Sequence, residues 1–150
     1  MPTREEVYAK FGVTAEAAQL FETELGTLLL GANGLREGWH VKPDGERGRV
    51  VLENIQRGTL GGLFSTLRKH IEFSEDIEAR MTSAVQARNR LNHGFFEKHN
   101  FSIQTDQGRH AMLADLEALH EELFNAWQLA SAMTQIMMRV IKDAGVGNPT

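Results

Sequence analysis

Apolar residues recur at spacings of three and four along most of this chain, the period that lines one face of an α-helix. The spacing predicts a first helix from about Thr14 to Leu30. Ala17, Leu20, Phe21, Leu25, Leu28 and Leu29 make its apolar stripe, and Glu16, Glu22 and Glu24 its wet side. Thr14 is the expected N-cap, and Gly31 and Gly34 the expected stop. Thr59 caps a second, short helix with Leu60, Leu63, Phe64 and Leu67 on one face, and Gly61-Gly62 near its start permits close packing against another element. Ser74, followed by Glu75 and Asp76, opens a third. Its buried face is Ile77, Met81, Ala84, Val85 and Leu91, with Gly94 as stop and Phe95-Phe96 packing just beyond.

The longest helix runs from about Asp106 to Lys142. Leu116, Leu119, Leu123, Ala126, Ala130, Met133, Met137 and Val140 form a bundle seam, within one chain or shared between subunits. Acidic residues crowd its first half and Arg139 and Lys142 its end, as the helix dipole favours. Gly145, Gly147 and Pro149 read as a frayed tail. Met112, Met133, Met137 and Met138 read as core filler, and Phe124 and Trp127 as packing residues.

Residues 34–50 break the pattern. Gly34, Gly38, Pro43-Asp44-Gly45 and Gly48 mark turns. Trp39, Val41 and Val50-Val51-Leu52 make either a short hairpin about Pro-Asp-Gly or one long exposed loop. The expected fold is therefore all-α. It is an up-and-down helical bundle in a single domain over residues 1–150, with a short irregular or hairpin insertion near residues 34–55.

Composition narrows the chemistry. With no cysteine, disulfides, thiolate metal sites and a cysteine nucleophile are excluded together, which fits a reducing cytoplasm. Residues Met1–Glu6 hold no apolar signal core and no apolar run reaches membrane-spanning length, so a cytoplasmic protein without membrane contact is expected. A net charge of −4 argues against a protein that coats nucleic acid through broad phosphate neutralisation. A local phosphate site remains compatible with it.

Arg88-Asn89-Arg90-Leu91-Asn92-His93-Gly94-Phe95-Phe96 is the stretch that carries candidate chemistry. It sets arginine, amide and imidazole groups at the end of a helix that has no structural need for them. A guanidinium beside an imidazole can bind a phosphodiester and move a proton near it. On a helix Asn89 and His93 share a face, as do Arg88 and Asn92, so Asn89 is placed to hydrogen-bond one imidazole nitrogen and fix the tautomer. Arg88 lies about 140° from His93 at roughly 100° per residue. The two converge on one phosphate only if the helix ends or kinks near Asn92, or if a second copy supplies its motif across a twofold axis.

Arg, a polar residue, and then His after a few residues resembles the signature of the HEPN superfamily. Here it is Arg88-Asn89, then Arg90-Leu91-Asn92, then His93, and Leu60-Gly61-Gly62-Leu63 is similar to the Leu-Gly-x-Leu segment that precedes it in bacterial HEPN-like proteins. The resemblance extends over about residues 14–142 in helix order, and is sharp only over 88–96. It implies a helical bundle that dimerises with two motifs facing one cleft. It further implies metal-independent RNA cleavage without a cofactor, in toxin–antitoxin, anti-phage or RNA-processing settings with an antitoxin or other protein partner. Arg88 would hold the scissile phosphate, His93 would act on the 2′-hydroxyl or leaving oxygen, and Asn89 would orient it. Arg90, Asn92 and Lys98 are the candidate substrate contacts.

The same residues admit a bland alternative, in which Arg88 pairs with a carboxylate and His93 bonds a terminal carbonyl. The fold would then serve as a non-catalytic module that binds a protein, a nucleotide or RNA. Histidines 40, 70, 93, 99, 110 and 120 include no His-Glu-x-x-His or Glu-x-x-His motif, so no metal is expected. His120, beside Glu121-Glu122, reads as solvated or capping, and His99 and His110 flank the loop before the last helix.

Overall fold

Thr3, not Thr14, starts the first helix: its Oγ1 accepts the Glu6 N–H at 3.1 Å. The computed structural model describes residues 1–146, and α1 spans Arg4–Glu37. Thr14 lies inside α1, fully buried, with its hydroxyl donating to the Lys10 carbonyl at 2.7 Å. A threonine hydroxyl can bond the preceding turn as readily as it caps a helix, and here burial selects the former.

Gly31 and Gly34 do not stop α1 either. The helix ends at Gly38, whose φ of 74° is left-handed. The Gly38 N–H reaches the Leu35 carbonyl at 3.3 Å and the Trp39 N–H the Gly34 carbonyl at 2.9 Å. Those two bonds are the Schellman closure of a helix terminus. Trp39 then folds back on Gly34, where a Cβ would come within 2.9 Å of the indole ring.

The expected hairpin or irregular insertion is a helix. Asp44 Oδ1 accepts the Arg47 N–H at 3.0 Å, capping α2, Gly45–Arg57. Val51 and Ile55, four apart, are its buried residues, and Arg49 bridges Glu46 and Glu53 on its wet face. Pro-Asp-Gly satisfies a turn and a helix start alike, and the α-spaced Val51/Ile55 pair decides between them.

Thr59 caps α3, Leu60–His70, by accepting the Gly62 N–H at 3.1 Å, and Leu60, Phe64 and Leu67 are buried as expected. Gly62 is exposed, and the nearest atom to a Cβ built there is the Thr59 hydroxyl at 3.0 Å, so it serves no close approach to another element. Ser74 Oγ accepts the Ile77 N–H at 3.3 Å at the start of α4, Glu75–His93. A single turn, α5 (Phe95–Lys98), and a 3-10 turn, Ser102–Gln104, lead to α6, Asp106–Val146. Gly145 is still helical, so it is no frayed tail; Gly147 and Pro149 lie outside the described residues. No strand occurs among the described residues, and the fold class is all-α.

The chain divides into two compact units, and α1, α4 and α6 contribute to both. The first joins Met1–Phe21 to Glu78–Trp127. Its core is Val7, Ala17, Phe21, Met81, Ala84, Ala87, Leu91, Phe95, Met112, Leu116, Leu119 and Leu123. The second joins Glu22–Ile77 to the chain from Gln128. Leu25, Leu28, Leu29, Val51, Ile55, Leu60, Phe64, Leu67 and Ala130 form its core. The α6 seam weakens towards its end: Ala130 is buried, Met133 and Met137 half-buried, and Val140 exposed.

Candidate functional site at the end of α4

The orientation of the motif is set by the apolar stripe beneath it. Ala84, Ala87 and Leu91 are buried in the first unit, three and four residues apart. Arg88 borders that stripe and is half-buried, whereas Asn89, Arg90, Asn92 and His93 face solvent. The helix stays regular through His93, and the Gly94 N–H still bonds the Arg90 carbonyl at 3.0 Å. No kink therefore turns Arg88 and His93 towards each other, and about 140° of helix separates them.

Arg88 Nη1 donates to Asn89 Oδ1 at 3.3 Å. The amide thus steadies the guanidinium, and the expected Asn89–His93 bond is not formed. His93 has no hydrogen-bond or ion-pair partner among the described residues. Arg90 Nη2 lies 3.9 Å from Glu122 Oε2, and the other oxygen of that carboxylate accepts from Ser83 Oγ. Asn92 is exposed.

Lys98 is held by Asp115, Nζ to Oδ2, at 3.3 Å, and His99 Nε2 meets the same oxygen at 2.7 Å. Burial pushes the Asp115 carboxyl up, but the bonds from His99 and Lys98 and the charge of both outweigh it and hold the group below its ordinary value. His99 also lies against Phe95 at 4.8 Å, and Phe95, Phe96 and Phe11 form an aromatic cluster that fixes α5. His110 is exposed, and His120 is half-buried and stacked on Phe124 at 5.9 Å.

Sequence reasoning missed Asp115 and Glu122 as the partners of this region. The two carboxylates sit seven apart, on one face of α6, next to Leu116, Leu119 and Leu123, which places them beside the α6 seam without pairing them with α4. Among the described residues no three His, Asp or Glu side chains converge in a way that would hold a metal ion. No helix among the described residues is long and apolar enough to cross a membrane.

What remains at the helix end is an exposed imidazole with no partner among the described residues, and a guanidinium tied to an amide one turn earlier. Comparison with protein-family models, with curated proteins and with solved structures finds no match.

Proposed function

We propose that this chain is a metal-independent endoribonuclease of the HEPN type, working as a homodimer whose two α4 ends face one RNA strand. The observation that carries the reading is His93: it is exposed, and without a partner among the described residues, at the end of a helix whose Arg88 and Asn89 are already joined. Because one straight helix points the two groups apart, the phosphate is held by Arg88 of one copy and approached by His93 of the other. His93 takes the proton of the 2′-hydroxyl, the freed oxygen attacks phosphorus as the bond to the 5′-oxygen breaks, and the leaving 5′-oxygen takes a proton from water. The products are a 2′,3′-cyclic phosphate and a 5′-hydroxyl, and DNA is spared for lack of the attacking group. Arg88 offsets the charge that builds on the phosphate, with Asn89 holding its guanidinium in place. Arg90, Asn92 and Lys98 are the substrate contacts of this reading. A toxin–antitoxin or anti-phage role, with an antitoxin as partner, belongs to the same proposal.

The test is cleavage of an end-labelled RNA pool in EDTA by the wild-type chain, Arg88→Ala and His93→Ala. We expect cyclic-phosphate ends from the wild type and a loss of at least about a hundredfold in each variant, the range for a lost proton-transfer group. Undiminished cutting by His93→Ala would remove the assignment.

Two observations favour a second reading, a non-catalytic binding module. Glu122 engages Arg90, and α4 presents its carbonyl end, so part of the local field opposes a phosphate. Absence of cutting, together with RNA or protein binding that Arg88→Ala weakens, would select that reading.

A further inference from the structure

The second unit contains a cavity of about 660 Å³, remote in sequence from the α4 motif. Its walls come from α1, α2 and α6: Leu30 and Gly31, Trp39 beyond the Schellman closure, Gly48 and Leu52, and Met138 and Ile141. A volume of this order is that of small-molecule sites, and the lining is predominantly apolar as such sites are. Leu52 and Met138 are 40% and 57% exposed, apolar surface that an occupant would remove from water.

Gly48 shows that the space is kept open. It sits inside the 13-residue α2, where glycine costs about 1 kcal/mol relative to alanine. Its φ is not left-handed, so the backbone does not require it. A Cβ there would meet Trp39 at 3.8 Å, an ordinary contact, so packing does not require it either. A longer side chain at this position would occupy the cavity.

The wall chemistry selects a neutral occupant. Arg49 and His40 are the basic side chains among the described lining residues. Glu46 and Glu53 take the Arg49 guanidinium at 2.8 and 2.6 Å, and the His40 Nδ1 is buried without a hydrogen-bond partner among the described residues, one polar atom on an otherwise apolar wall. Asp44, also on the wall, is committed to the Arg47 N–H. An acidic headgroup would have to displace the Glu46 and Glu53 carboxylates.

We propose that this cavity binds a neutral, mostly apolar small molecule, seated between Trp39 and Met138. The inference stands apart from the ribonuclease reading and uses none of its residues. The probe is N-phenyl-1-naphthylamine, a neutral dye that brightens in apolar surroundings, titrated against the full chain. We expect saturable binding at one dye per chain. Gly48→Leu should weaken it about tenfold or more by filling the space, while leaving the thermal midpoint no lower. Leu52→Gln, at a 40%-exposed position, provides a second variant should Gly48→Leu fail to fold, and should also weaken binding. No saturable binding by wild type, or equal affinity in both variants, would overturn the proposal. So would dye release on self-association, followed by sedimentation across a concentration series, because a second copy would then be the occupant.

Discussion

Gly108 is a position in the first unit with no room for a side chain. A Cβ there would run into the Ser102 carbonyl oxygen, a backbone atom with no flexible side chain to yield. Gly108→Ala should therefore lower unfolding free energy by about 1–3 kcal/mol, measured by denaturant titration. The adjoining loop is tied down from several sides. Arg109 donates to the Pro2 and Ile103 carbonyls at 2.7 Å each and pairs with Asp106. Asp115 gives a pH-dependent counterpart. Its carboxyl is held below the ordinary 3.8, so the stability it contributes is present above that value and lost as pH falls through the lowered one. Acid unfolding followed by circular dichroism should be steeper below pH 3.8 for the wild type than for Asp115→Asn. His40 makes the opposite case, since its Nδ1 is sealed from solvent without a hydrogen-bond partner among the described residues. Such an atom costs about 1–3 kcal/mol, so His40→Phe should raise the denaturation midpoint.

Among the elements, α2 depends most visibly on one cap. Asp44→Ala should cost about 1 kcal/mol and lower helical content, because the Arg47 N–H loses its acceptor. The same element marks where the chain was legible and where it was not. Thr59 and Ser74 were readable as caps because each is followed directly by a helical apolar period and nothing competes for its hydroxyl. Thr14 has the same side chain but sits within a longer helix, and only its burial reveals that it bonds backwards. Gly31 and Gly34 resemble stops in isolation. They lie inside the helix all the same, at positions where Met137 and Trp39 fill the space a Cβ would need, and Met137 lies more than a hundred residues away in sequence. The candidate site divides in the same way. The polar end of α4 follows from local spacing. The partners that engage Arg90 and Lys98 sit on α6, and no local pattern ties Glu122 or Asp115 to them.

At the scale of the whole molecule, the divergence of Arg88 and His93 makes a composite site across a twofold axis directly testable. Arg88→Ala and His93→Ala should each be inactive alone. Mixed after unfolding and refolding together, they should regain about a quarter of wild-type cleavage, since half the dimers are mixed and each mixed dimer has one intact Arg/His pair. Absence of recovery would place both groups on one chain. The division into units has a separate consequence. Each unit joins an early segment to one that lies fifty or more residues later, Phe21 to Glu78 in the first and Ile77 to Gln128 in the second. A ribosome making this chain releases Leu25, Leu28 and Leu29 long before their unit's α6 segment exists. Until that segment emerges the nascent chain holds this apolar stripe only partly covered, by what α2 and α3 supply, and such surface is the kind that cellular chaperones bind. For the same reason neither unit can be isolated by trimming the chain from one end.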